Sequence, residues 1–229
     1  MKITKITDRH IMFTVPEAGG IVNMGLILGE KHNFIVDTGM GESNVKGILE
    51  YIGDDSKPII VINTHADWDH IFGNSAVKDR LIVAHVLCRN IIDANWGAEP
   101  KEGEYIRKNR DFIDSEVHKC LPNLVFEGSL HFPDDGITVF HSPGHTEDSI
   151  SVYDATQKVL YIGDNFAIYD GVAYLWTKDL QASEQMIENY KPYDFDICIM
   201  SHSEEAYTGD TMALLEAALK KAQEESKSE

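Results

Sequence analysis

The segment Thr64-His65-Ala66-Asp67-Trp68-Asp69-His70 constrains this chain more than any other. It sets two imidazoles and two carboxylates within six residues, directly after the apolar run Pro58-Ile59-Ile60-Val61-Ile62. A continuous β-branched run of that length, closed by a polar loop, reads as a buried strand. Borderline and hard divalent cations bind neutral nitrogen and anionic oxygen. A cluster of such donors at the end of a strand is a place to build a metal site, which makes the chain a candidate metalloenzyme.

The 229 residues, 43% of them hydrophobic, suffice for a substantial core without disulfides. No Pro/Gly/Ser-rich linker divides them, so the expectation is a single domain over 1–229. The formal charge of −18 disfavours nucleic acid and anionic membrane surfaces as partners. It leaves room for a small, even phosphorylated, substrate, because bound metals reverse the local field. Cys88, Cys120 and Cys198 form no CxxC pair, which fits a reducing compartment and small core residues rather than a disulfide framework. The start, Met-Lys-Ile-Thr-Lys-Ile-Thr-Asp, lacks a signal-type apolar region, and no apolar run approaches the ~20 residues of a membrane helix. A cytoplasmic protein with a small-molecule substrate is expected; a homodimer is left open.

Strands are predicted at 10–15, 21–28, 33–36, 58–62, 81–84, 123–126, 137–140, 150–153, 159–162 and 197–200. Helices are predicted after Ser43, which reads as an N-cap, at 86–94, at 183–190 and at 210–225, where Met212, Leu215, Leu219 and Ala222 recur at helical spacing. The charged stretch 95–120 reads as a helical insertion or lid with an irregular start at 97–103. Residues 221–229 read as a polar tail.

Further metal-type residues follow other strands. His145 lies in His141-Ser142-Pro143-Gly144-His145-Thr146, Asp164 in Gly163-Asp164-Asn165 and His202 in Ser201-His202-Ser203. The other histidines, at 10, 32, 85, 118, 131 and 141, lack a comparable setting.

Taken in order, these segments resemble the metallo-β-lactamase fold superfamily. Its His-x-His-x-Asp-His loop, Gly-His-[Thr/Ser], strand-ending Gly-Asp and late His match His65 to His70, Gly144-His145-Thr146, Gly163-Asp164 and His202. Asp37-Thr38-Gly39 matches its early strand-end turn. The resemblance implies an α+β fold, a four-layer αββα sandwich of two mixed β-sheets with helices on the outer faces. It implies two divalent metal ions, zinc first, with manganese or iron as alternatives. Metal 1 would be held by His65, Asp67 and His145, metal 2 by Asp69, His70 and His202, with Asp164 bridging. Asp69 would also orient a metal-bridging hydroxide as a catalytic residue.

One position departs from the family: Asp67 stands where it has a histidine. A carboxylate is shorter and harder, and it adds a negative charge. Direct ligation is the favoured reading; ligation through water, or a mononuclear site, stays open. Asp37, Thr64 and Thr146 are candidates to orient the ligands. Trp68 reads as packing beneath the loop or as a pocket wall. Tyr169, Tyr174 and Trp176 are candidate pocket residues.

The function implied is a dinuclear metal-dependent hydrolase of a small ester, thioester or phosphoester. The alternative is a diiron oxidoreductase acting on oxygen or nitric oxide, motivated by the acidic residue at 67. It would need a separate electron donor, since no flavodoxin-like segment is visible.

Overall fold

The structure, a computed structural model, describes residues 1–97, 103–169, 172–177 and 179–226, with backbone alone at 103–105 and 169. Two compact units divide the chain, Met1–Glu127 and Gly128–Glu229.

The first unit is built on a seven-stranded mixed sheet in the order β1 (Lys2–Lys5), β2 (His10–Glu17), β3 (Gly20–Leu28), β4 (Asn33–Val36), β5 (Ile59–Ile62), β6 (Leu81–His85) and β7 (Leu124–Phe126). The first four strands are antiparallel neighbours, and β4 through β7 run parallel. Every residue of β4 and of β5 is buried, as continuous apolar runs in a parallel sheet require. The parallel pairing of β4 with β5 sets Val36 beside Ile62. The residues that follow, Asp37 and Thr64, therefore emerge at one edge.

Helix α1 (Glu42–Ile52) places Val45 and Ile48 in the core with Ile35 and Val61. Its N-cap is Gly41, not the expected Ser43. Ser43 instead donates from its backbone N and its Oγ to Asp114, at 2.9 and 2.6 Å. Helix α2 (Trp68–Ile71) carries part of the donor-rich loop, and a 3₁₀ turn at Asn74–Val77 follows it. A Cβ at Gly73 would stand 2.2 Å from the Thr38 carbonyl oxygen, so glycine lets this turn close onto the end of β4. Helix α3 (Val86–Asn95) buries Cys88 and Ile92 and is capped by His85 Nδ1, which accepts from Leu87 N.

Among its described residues the expected insertion holds one short helix, α4 (Gly103–Lys108); residues 98–102 of its expected irregular start lie outside the described residues. From 109 to 123 the chain is irregular. It is tied down by Ile113 in the core, by Asn109 Oδ1 accepting from Ala18 N at 2.6 Å, and by Asp114 at α1. These anchors lie far off in sequence, and they override the segment's helical composition.

The second unit carries a five-stranded mixed sheet in the order β14 (Ile197–Ile199), β11 (Val159–Tyr161), β10 (Ile150–Asp154), β9 (Ile137–His141) and β8 (Ser129–Phe132), plus a hairpin of β12 (Phe166–Tyr169) and β13 (Val172–Leu175). Helices α5 (Leu180–Tyr190) and α6 (Thr211–Ser226) bury Met186, Ile187, Tyr190, Leu215 and Leu219 in one cluster with Phe140, Leu160 and Cys198 of the sheet. Asp179 caps α5 by accepting from Gln181 N and Ala182 N. Helix α6 runs to Ser226, so residues 221–226 of the expected tail are helical; residues 227–229 lie outside the described residues.

Strands β11 and β14 are parallel, and β9 is antiparallel to β10, itself antiparallel to β11. Hence β9, β11 and β14 run in one direction, and the loops carrying His145, Asp164 and His202 leave the same edge. The two mixed sheets, each with its own helices, are the parts the expected fold class calls for. Among the described residues no helix is long and apolar enough to cross a membrane.

Candidate metal centre

In the first unit, Asp37 organises the donor loop. It adopts a left-handed backbone conformation (φ 61°), which aspartate tolerates better than most residues, and it is almost fully buried. Its Oδ1 accepts from Thr64 N at 2.7 Å. Its Oδ2 accepts from Thr64 Oγ1 at 2.7 Å and from His70 Nδ1 at 2.8 Å. Because a carboxylate only accepts, His70 carries its proton on Nδ1. The Thr64 hydroxyl gives its hydrogen to Asp37, so at 3.0 Å it accepts from His65 Nδ1. One carboxylate thus sets the tautomers of two imidazoles and leaves both Nε2 atoms with a lone pair.

Those Nε2 atoms point at carboxylates. His65 Nε2 lies 3.5 Å from Asp67 Oδ2, and His70 Nε2 lies 3.6 Å from Asp69 Oδ2. Bonds of 2.0–2.2 Å to a tetrahedral ion would separate two ligand atoms by about 3.4 Å. Asp67 precedes α2 at its N-cap position yet makes no side-chain cap bond. Aspartate is among the strongest capping residues, so here its carboxylate faces His65 instead of the helix end. Thr38 N donates to the His70 carbonyl at 2.8 Å, and the amides of Asn63 and Asn74 bond each other beneath the loop at 2.9 and 3.1 Å. Trp68 is buried in the core of the unit and meets Phe72 edge-on, with centroids 6.0 Å apart.

In the second unit, His145 Nδ1 donates to the Trp176 carbonyl at 2.7 Å, which again leaves Nε2 as the acceptor. Asp164 Oδ2 stands 3.2 Å from His202 Nε2 and 3.9 Å from His145 Nε2. The parallel pairing is continued past the strand ends by Ser201 N donating to the Gly163 carbonyl at 3.1 Å. The Trp176 ring lies 4.9 Å from the His202 ring and 6.3 Å from that of His145. Tyr174 is 44% exposed on β13, and the Tyr169 side chain lies outside the described residues. Thr146 Oγ1 bonds Ser149 Oγ at 2.7 Å, within its own loop.

Asn165 is a positioning residue that sequence reasoning missed. Its Oδ1 accepts from His145 N at 2.8 Å, and its Nδ2 donates to the Ser142 carbonyl and to Tyr190 Oη, both at 2.9 Å. Tyr190 Oη also bonds Ser151 Oγ at 3.0 Å. Burial pushes the Tyr190 phenol up to about 12 against these hydrogen bonds. A Cβ at Gly144 would fall 2.8 Å from Asn165 Oδ1, so glycine admits the clamp. The signal available in sequence was the adjacency of Asn165 to Asp164. Of the remaining histidines, His85 Nε2 and His141 Nε2 bond the Glu127 and Glu147 carbonyls at 3.1 and 2.8 Å, which are structural roles.

The sequence profile of the metallo-beta-lactamase superfamily matches residues 18–224, and the chain belongs to that family. Among solved structures, a metallo-β-lactamase from Pontibacter korlensis superposes with a TM-score of 0.72 at 20% identity, covering 96% of this chain and 98% of its own. The FIM-1 enzyme of Pseudomonas aeruginosa, in its mono-zinc form, superposes at 0.71 and 20% identity, covering 96% and 95%. At such identities the likeness establishes the fold. In sequence, the chain is similar to the human acyl-coenzyme A thioesterase MBLAC2, 28% identical over 184 residues that cover 70% of this chain. The chain spans 63% of that relative's length.

Proposed function

We propose that this chain is a metal-dependent hydrolase of acyl thioesters, and that the donors of the two units together form one dinuclear centre. The observation that carries this reading is the aiming of the imidazoles. His65, His70 and His145 each have Nδ1 tied to an oxygen, and each turns Nε2 toward a carboxylate. The donor set of nitrogen and carboxylate oxygen suits zinc. His65, Asp67 and His145 would hold one ion, Asp69, His70 and His202 the other, and Asp164 both. Bound zinc would supply a water deprotonated near neutral pH and a Lewis-acid contact for the carbonyl oxygen.

The protein's own contribution is positioning. Asp37 keeps two imidazoles in the ligating tautomer. Asn165 fixes the backbone of His145. Asp69, fixed in α2 beside His70, orients the attacking water. The Trp176 ring covers His202 and would exclude bulk water from that side. A carbonyl carbon of a thioester is more open to attack than that of an ester, so a positioned water suffices and no strong acid need protonate the departing thiolate. The thioester class is supported by the similarity to acyl-coenzyme A thioesterases.

The reading is tested by release of free thiol from acyl-coenzyme A. Turnover should be lost on chelation and restored by zinc. Turnover that survives complete metal removal would overturn it.

A further inference from the structure

An apolar cavity of about 250 Å³ opens in the first unit directly behind the donor loop. Its walls are mainly apolar, among them Ala66, Trp68, Phe72, Ile92 and Trp96, with Asn95 as a polar group beside them. Phe72 stands edge-on to both tryptophans, with centroids 6.0 Å from Trp68 and 5.6 Å from Trp96. Ala66 and Trp68 alternate along the chain with His65, Asp67 and Asp69, so the donors and the cavity wall belong to one short loop. Ala66 is the smallest side chain of that segment.

Protein interiors leave few voids larger than a water. A cavity lined by aliphatic and aromatic groups gives water too few partners and takes an apolar guest instead. We propose that this cavity receives the acyl chain of the substrate, a straight chain whose carbonyl lies at the donor face of the loop. The inference rests on the thioesterase reading above. The thiol half of an acyl-coenzyme A is polar and phosphorylated, and it does not suit such walls. At about 30 Å³ for each group of water size, the cavity holds on the order of eight chain carbons. Burying a methylene raises affinity about fourfold.

The test measures hydrolysis of acyl-coenzyme A thioesters from acetyl to dodecanoyl. It is paired with quenching of tryptophan fluorescence by decanoate brominated at its terminal carbon. The expected kcat/KM climbs about fourfold per methylene and levels near octanoyl. Ile92→Trp, which fills part of the cavity from α3, should shorten the plateau by about two carbons and weaken binding of the brominated decanoate read by quenching. Ile92→Ala should lengthen the plateau; this second variant serves if the larger side chain prevents folding. A flat profile in the unaltered protein, or an identical profile in both folded variants, would overturn the cavity assignment while leaving the thioesterase reading intact. Conversely, if no thioester is cleaved but the brominated decanoate quenches and binds more weakly in Ile92→Trp, the cavity assignment stands and the thioesterase reading falls.

Discussion

Replacing Asp37 by asparagine removes one negative charge at nearly constant volume and acts on metal binding through two histidines. Three donors now converge on its carboxylate, from Thr64 N, Thr64 Oγ1 and His70 Nδ1, at 2.7 to 2.8 Å. An amide offers a single acceptor oxygen. Whichever way the introduced amide is turned, its NH₂ group faces a donor, and the cheapest relief is for His70 to move its proton to Nε2. That atom is the proposed metal ligand. Loss of a partner that orients a ligand imidazole typically weakens metal binding 10- to 100-fold, about 1.4 to 2.7 kcal/mol. His65 is coupled to the same carboxylate through Thr64, so the upper end of that range is expected. The assay is competition for zinc against a chromophoric chelator, with thermal unfolding of the metal-free protein as control for folding. Unchanged zinc affinity in a folded Asp37→Asn protein would refute the tautomer argument.

Other expectations follow from the same geometry. Asp114→Ala removes the carboxylate that receives Ser43 N and Oγ at the start of α1; urea unfolding should show a loss of about 1 kcal/mol, and no loss would mean the tie is idle. Tyr190, raised from 10.0 to about 12 by burial, keeps its proton in the folded state where the unfolded chain gives it up. Its contribution to stability is therefore intact below pH 10 and is lost as pH rises toward 12, about 3 kcal/mol. Tyr190→Phe should make the alkaline fall shallower, with the buried Tyr161 and Cys198, raised in the same way, still contributing; an unchanged slope would exclude Tyr190 as one of its sources. Asp148 is buried, and among the described residues neither of its carboxylate oxygens has a hydrogen-bond partner. Asp148→Asn should hold or raise the melting temperature, since an unpaired buried charge is costly; a marked fall would show that the charge is compensated.

How much of this was legible in the sequence depended on distance along the chain. The loop from His65 to His70 declared itself because its donors are contiguous and follow an apolar strand. His145, Asp164 and His202 declared themselves because each follows a strand whose pairing can be read from its apolar run. Asp37 was visible only as a candidate, since its contact with His70 spans 33 residues. Asn165 was missed because its partners, Ser142 and Tyr190, come from two distant elements. Strands β1 and β8 were missed because they are largely exposed and show little of the apolar patterning that marks a strand. The β12–β13 pair is absent from the predicted strands, although Asp170-Gly171 is a strong hairpin signal between two apolar runs. Segment 109–123 looked helical in composition, but Asn109, Ile113 and Asp114 hold it in irregular form through contacts that no local pattern encodes.

The proposed dinuclear centre turns on Asp164, the one donor assigned to both ions. The most direct measurement is the number of zinc atoms bound per chain at saturation, for the unaltered protein and for Asp164→Ala, by equilibrium dialysis and elemental analysis. Two per chain, falling below one in the variant while it remains folded, is the expected result. One or none in the unaltered protein, or two retained by Asp164→Ala, would contradict it.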